Sequence, residues 1–374
     1  MKKAAFVFCA LILVLLPLRA PADGFENGQY YTVYLDHGEI LFEFAGGIGV
    51  GDEYISADNQ LYTIETVNEA AMTATAIHRG AQEMPDVNWL ETAAAVVVSA
   101  GGGTPKNNDN RLIAMYATHS DESYKPSDGT ESAANGHGGI YDVAQALKKA
   151  LEDKGIEVVL DETIHAPHDA GAYRRSRQTA IELLKKYPDA LIDLHRDGIP
   201  NANEYKVTID GKDASKVRLE VGRSNQNASA NKQFALELKA VADQKYPELI
   251  KDVFIGKGSY NQDLMSNAIL LEFGTHTLDK DRAIASTELM ADVLVDTIYG
   301  GVSGAASDGN QATGSKGAGT GIIWLLIAVV VGIGAYALLQ TGNGREAWDK
   351  VKRGASELTL GMIGKKPDKG DRDH

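Results

Sequence analysis

The chain changes its hydrophobic rhythm several times. Residues 4–16, "AAFVFCALILVLL", form an unbroken apolar run behind Lys2 and Lys3. From Gln29 onward, "QYYTVYLDHGEILFEFAG" and "QLYTIETV" alternate apolar and polar residues, with turn signals between them. Alternation at a period of two predicts half-buried β-strands. After the Gly- and Asn-rich break "SAGGGTPKNNDN" (Ser99–Asn110), short apolar runs take turns with longer amphipathic ones. "RLIAMYA", "IEVVL", "ALIDLH", "KVRLEVG" and "AILLEFG" read as strands. "GGIYDVAQALKKALEDKG", "AYRRSRQTAIELLKKYP", "NKQFALELKAVADQKYP" and "STELMADVLVDTIYG" read as helices. In the first helix Val143, Leu147 and Leu151 share one face and Gly155 is the stop; Pro188 ends the second; Phe234, Leu238 and Val241 stripe the third. Strands alternating with helices predict an α/β fold, a mostly parallel sheet with helices on both faces.

The pattern divides the chain. Residues 1–22 have a basic start, an apolar centre and small residues ("APA", Ala20–Ala22) before Asp23, the layout of a secretory signal peptide. A small β-rich domain is expected over residues 23–98 and the α/β domain over 108–300. Residues 301–320 are a Gly/Ser linker with too few apolar side chains to pack. "GIIWLLIAVVVGIGAYALL" (Gly321–Leu339) carries no charge and is long enough for a bilayer, which takes about 20 residues. A single transmembrane helix is therefore expected over 321–340. Arg345, Lys350, Lys352 and Arg353 follow it, which predicts a short cytoplasmic tail, 341–374, and an extracytoplasmic body.

Composition adds two exclusions. The single cysteine, Cys9, lies in the leader, so the exported chain would hold no disulfide and no thiolate nucleophile. The whole chain carries −14; the leader contributes +3 and residues 321–374 contribute +2, so residues 23–320 carry −19. A body that acidic argues against nucleic acid as a partner.

In open α/β sheets, ligands collect beyond the carboxyl ends of the strands. His119 follows "RLIAMYA", His195 ends "ALIDLH" and Glu272 ends "AILLEFG". Glu122, three residues past His119, can reach the same point, and Glu131 is the alternative carboxylate. Two imidazoles and a carboxylate make a zinc (Zn2+) site with one position open to water. Glu272 follows Ala-Ile-Leu-Leu, surroundings that raise a carboxyl pKa toward general-base strength. The bland readings are a polar loop at His119, a structural histidine at His195 and a salt-bridged Glu272. A second pair, His165 and His168 in "IHAPHD", reads either as metal ligands or as supporting polar residues. His137, His276, His37 and His78 rank below it, although His276 is close enough to Glu272 to line a pocket; His374 belongs to a polar tail.

"YATHSDESYKP", "AYRRSR", "PDALIDLHRDG", "SYNQDL" and "ILLEFGT", in this order, resemble the stage II sporulation protein P family, and "VGDEYISADNQLYTIETV" resembles the region upstream of that family's catalytic domain. The resemblance implies a zinc-dependent N-acetylmuramoyl-L-alanine amidase acting on peptidoglycan, with endopeptidase activity also attributed to the family. It implies a zinc amidase-like fold in which His, Glu and His hold the metal and a second Glu is catalytic. His119 and His195 match the two histidines, and Glu272 the catalytic glutamate. The chain departs from the pattern at Ala117, where the family more often has histidine. It departs again in "GHGGIYDV", where wider amidases carry a zinc glutamate, so Glu122 is the substitute. It departs also in a membrane span near the C-terminus rather than the N-terminus. Stage II sporulation proteins D and M are the partners the resemblance implies.

Arg175, Arg177 and Arg196 are suited to peptide carboxylates or to salt bridges with Asp193, Asp197 or Glu272, and Asn261 and Gln262 to a substrate amide or a turn. The expectation is thus a membrane-tethered peptidoglycan amidase of sporulation-related wall remodelling. A metallocarboxypeptidase acting on wall peptides and a non-catalytic wall-binding scaffold are the alternatives.

Overall fold

The structure, a computed structural model, describes residues 28–87, 111–169 and 171–300. The leader, the linker, the apolar run at 321–340 and the tail lie outside the described residues, among which no helix is long and apolar enough to cross a membrane.

The chain opens with β1 (Tyr31–Leu35), β2 (Ile40–Phe44), β3 (Glu53–Ile55), β4 (Gln60–Asn68) and β5 (Thr73–Ala81). Then come β6 (Leu112–Tyr116), α1 (Ile140–Glu152), β7 (Glu157–Leu160), α2 (Ala172–Leu184), β8 (Ala190–Asp197), β9 (Lys206–Ile209) and β10 (Lys212–Ser215). The series closes with β11 (Val217–Gly222), α3 (Ala228–Lys245), β12 (Ile250–Gly256), β13 (Ala268–Thr275) and α4 (Lys280–Tyr299). Apart from the β9–β10 hairpin, the strands form one 11-stranded sheet in the order β2-β1-β5-β4-β3-β12-β11-β13-β8-β6-β7. From β12 to β7 the neighbours run parallel except β11 against β13; on the β3 side they are antiparallel except β1 against β5. The fold is mixed α/β, and the parallel character belongs to the later half.

Period-two alternation sets the two faces. Ile113 and Met115 point into the core shared with α1, α3 and α4, where Val143, Leu147, Leu238 and Leu294 are buried. Ala114 and Tyr116 point the other way and meet Ala180 and Leu183 of α2. Helices therefore cover both faces of this part of the sheet, as the sequence pattern predicts. Gly155 sits at φ 81°, a left-handed stop that glycine takes without strain.

Strands β1–β5, within the segment expected to be a small β-rich domain, continue the later sheet. β3 pairs with β12, Val253 opposite Ile55 and Phe254 opposite Tyr54. Ile55 enters the main core, while Tyr54 stacks on Phe42 at 4.1 Å in a second core that includes Phe254. β12 itself has no counterpart in the sequence reading, because Lys251 and Asp252 interrupt its apolar run. Both are buried, neutralised by each other and by Arg218 and Glu204. The β9–β10 hairpin was not read either; its Asp210-Gly211 turn has φ of 52° and 75°, the positive pair a tight two-residue turn requires.

Candidate active site

β6, β8 and β13 are adjacent and parallel, so their carboxyl ends share one edge of the sheet. Glu272 stands directly opposite His195 in the β13–β8 register. Beyond β6 the chain is turned sharply: Asp193 accepts from Thr118 N at 2.8 Å and from its hydroxyl at 2.6 Å. His165 braces the same bend, with Nδ1 2.8 Å from Ala117 O, Nε2 2.9 Å from Thr179 Oγ1 and its backbone N–H donating to Ser120. The bend turns His119 into a cleft of about 480 Å³.

There His119, Glu122 and His195 come together, each about 3% exposed, with one potential ligand atom from each lying within 4.8 Å of the others. Glu122 Oε1 is 3.4 Å from His119 Nδ1 and 3.3 Å from His195 Nδ1. A tetrahedral ion with bonds of about 2.0–2.1 Å sets its ligands about 3.3–3.4 Å apart, so the trio fits zinc. The Nε2 atoms of both rings are buried without a hydrogen-bond partner; Asp193 Oδ1 stands 3.1 Å from that of His195 but off its bonding direction. Glu122 is aimed by its other oxygen, which accepts from Arg196 N at 2.9 Å. Its backbone runs against Gly138, where a Cβ would come within 2.0 Å of Glu122 O. Only glycine permits that approach.

The charges are set by the surroundings. Burial, with His168 and His195 adding to it, lowers His119 to about 4, leaving a neutral ring suited to ligation. Burial opposes charge on His195, but Asp193 and Glu122 outweigh it and raise its pKa well above the usual value. Burial raises Glu122, yet His195 and Arg196 prevail and hold it well below the carboxylate range. Glu272 goes the other way: burial and then Asp197 push it well up. Tyr205 Oη lies 2.8 Å from Asp197 Oδ2 and 3.1 Å from Glu272 Oε2. The Tyr205 hydroxyl has one proton, so it donates to Asp197 or to Glu272 at any one time.

The family model for stage II sporulation protein P matches residues 53–295, well over half of the chain. The chain belongs to the stage II sporulation protein P family. A curated stage II sporulation protein P of Bacillus subtilis (strain 168) is 30% identical over 210 residues, 51% of this chain and 52% of that relative, so the match spans about half of its length. Among solved structures, the CwlD amidase from Clostridioides difficile in complex with the GerS lipoprotein is 14% identical with a TM-score of 0.35, covering 51% of this chain and 98% of that one. The N-acetylmuramyl-L-alanine amidase Ami1 from Mycobacterium abscessus is 14% identical with a TM-score of 0.34, covering 51% and 97%.

In this stage II sporulation protein P relative the other sequence candidates scatter. Glu131, the alternative carboxylate, is on the cleft rim, 54% exposed and 3.7 Å from His276, which also lines the cleft. His168 lines it too, stacked on His119 at 4.0 Å with Nδ1 3.2 Å from Asp121. Arg196 reaches the cleft with its guanidinium tied to Ser123 O and Glu131 O. Arg177, Asn261 and Gln262 are not cleft residues. Arg177 grips Asp263 with two bonds of 2.7 and 2.6 Å, Asn261 holds Tyr173 O and Ser176, and the Gln262 amide spans Gly222 N and Glu220 O. Arg175 is spent on His165 O and Asp169. Sequence reasoning missed Tyr205 and Arg218, which surround Glu272; only the charge of Arg218 inside "KVRLEVG" signals it.

Proposed function

We propose that this chain is a zinc-dependent peptidoglycan hydrolase that cleaves the amide between N-acetylmuramic acid and the L-alanine of the stem peptide. The observation that carries the reading is the buried His119–Glu122–His195 trio with a protonatable Glu272 beside it, in a chain of this family. His119, Glu122 and His195 would hold the metal. Zinc bound there would polarise a carbonyl and acidify a water. Glu272 turns Oε2 to Tyr205 and lines the cleft, where its carboxylate takes a proton as water attacks and returns it to the leaving amine.

The cleft also weighs against a metallocarboxypeptidase. Such an enzyme needs a cation free to receive a terminal carboxylate. Of the cleft-lining residues, Arg196 is the one with a guanidinium; its Nε and Nη2 serve backbone carbonyls and its Nη1 stands 3.9 Å from Glu122 Oε1. The acids Asp121, Glu131, Asp197 and Glu220 also line the cleft and would repel a free carboxylate.

The same reading makes the chain an exported, membrane-tethered enzyme of sporulation-related wall remodelling, with stage II sporulation proteins D and M as partners. Purified cell wall digested with Glu272→Gln and His195→Ala variants, with products identified by mass spectrometry, tests the activity. Both should release no free stem peptide, and normal release by both would end the proposal. Protease shaving of intact cells tests the topology: residues 28–300 should be digested and the C-terminal tail protected.

A further inference from the structure

The most elaborate buried polar cluster outside the proposed metal ligands is built on Arg218, which is 0% exposed. Its Nε and Nη2 engage the two oxygens of Asp252 at 2.7 and 3.1 Å. Nη1 donates to Asp197 Oδ2 at 2.8 Å and lies 3.6 Å from Glu272 Oε2. Nη2 also donates to Glu43 O at 3.1 Å. Above the guanidinium sit the rings of Phe44, at 5.1 Å, and Phe42, at 5.9 Å, in cation–π range.

Two features separate this from an ordinary buried ion pair. Arg218 and Tyr205 converge on one atom, Glu272 Oε2. The other side of the cation is held by β2, which precedes the family-matched region starting at residue 53. Phe44, Ala45 and Gly46 then continue into the cleft wall, so the same segment both braces the arginine and borders the site. A planar guanidinium can serve all these directions at once; an ammonium cannot.

We propose that Arg218 and Tyr205 are positioning residues for Glu272, and that β2, through Glu43 and Phe44, fixes Arg218 from outside the family-matched region. This rests on the reading of Glu272 as the proton-transfer group.

The test uses the full chain, loaded with zinc and labelled with side-chain-carboxyl ¹³C-glutamate. The Glu272 resonance is identified by its loss in Glu272→Gln. Tyr205→Phe, which removes one hydroxyl, should shift that resonance. It should also lower kcat on defined muropeptides about 10- to 100-fold with KM within about twofold, the scale of a misplaced catalytic group. Phe44→Leu should move both readouts the same way by less, with zinc content unchanged. Arg218→Lys should follow where it folds; Tyr205→Phe carries the test whether or not it does. An unmoved resonance in Tyr205→Phe, or a fall in kcat that tracks lost zinc, overturns the proposal. If the wild-type chain releases nothing from muropeptides, the amidase reading fails while the resonance still decides the positioning claim.

Discussion

Glu122 and Glu272 are both buried carboxylates near His195, and their neighbours drive them apart. Burial opposes charge on both, but His195 and Arg196 hold Glu122 well below the carboxylate range, whereas Asp197 adds to burial and pushes Glu272 well above it. Two acids with opposed environments divide into ligand and proton carrier. Glu122→Gln should therefore abolish stoichiometric zinc binding, while Glu272→Gln should keep one zinc and lose about 10²- to 10⁴-fold in turnover, the usual worth of a general acid–base group. Metal analysis of both variants beside wall digestion checks this. His119, His195 and Glu272 were legible because strand-end position and residue type are written in the sequence. The partners of Arg177, Asn261 and Gln262 were not, because a polar side chain reads the same in the sequence whether it faces ligand or protein. Arg177 found Asp263, and Gln262 found the main chain of β11.

At the level of elements, the strands from β6 to β13 were readable where charges stand singly within an apolar run, as Arg218 and Glu220 do in β11. Legibility failed at β12, where a charged pair is buried, and at the seam with β3, where pairing between distant segments leaves no local trace. That charged pair makes its own prediction. Burial pushes Asp252 up, but Arg218 and Lys251 outweigh it and hold it at about 2. An unfolded aspartate titrates at about 3.9, so the unfolded chain binds more protons between these values. The stabilisation is fully present above about pH 4 and is lost as pH falls toward 2, roughly 2–3 kcal/mol in all. Asp252→Asn should flatten this part of the acid limb in urea unfolding. It should also cost about 3–5 kcal/mol at neutral pH, because the buried Arg218 loses its bidentate partner.

For the whole molecule, a metal held by residues from β8 and from the bend after β6 would link ligand binding to global stability. A ligand at about 1,000 times its Kd stabilises the folded state by about 4 kcal/mol. Chelation should therefore lower the melting temperature by on the order of 10 °C and abolish wall digestion, and one equivalent of zinc should restore both. A melting curve indifferent to chelator would contradict the trio as a metal centre.

The union of β3 with β12 has a consequence for how the protein survives damage. Arg218 grips Glu43 O, and Lys239 of α3, fully buried, reaches Ala57 O at 2.9 Å, so the two halves are joined by more than their covalent connection. A backbone nick anywhere between residues 88 and 110 should leave both fragments co-migrating on gel filtration and still digesting wall. They should part only in denaturant, and mixed as separate polypeptides they should reassemble by fragment complementation.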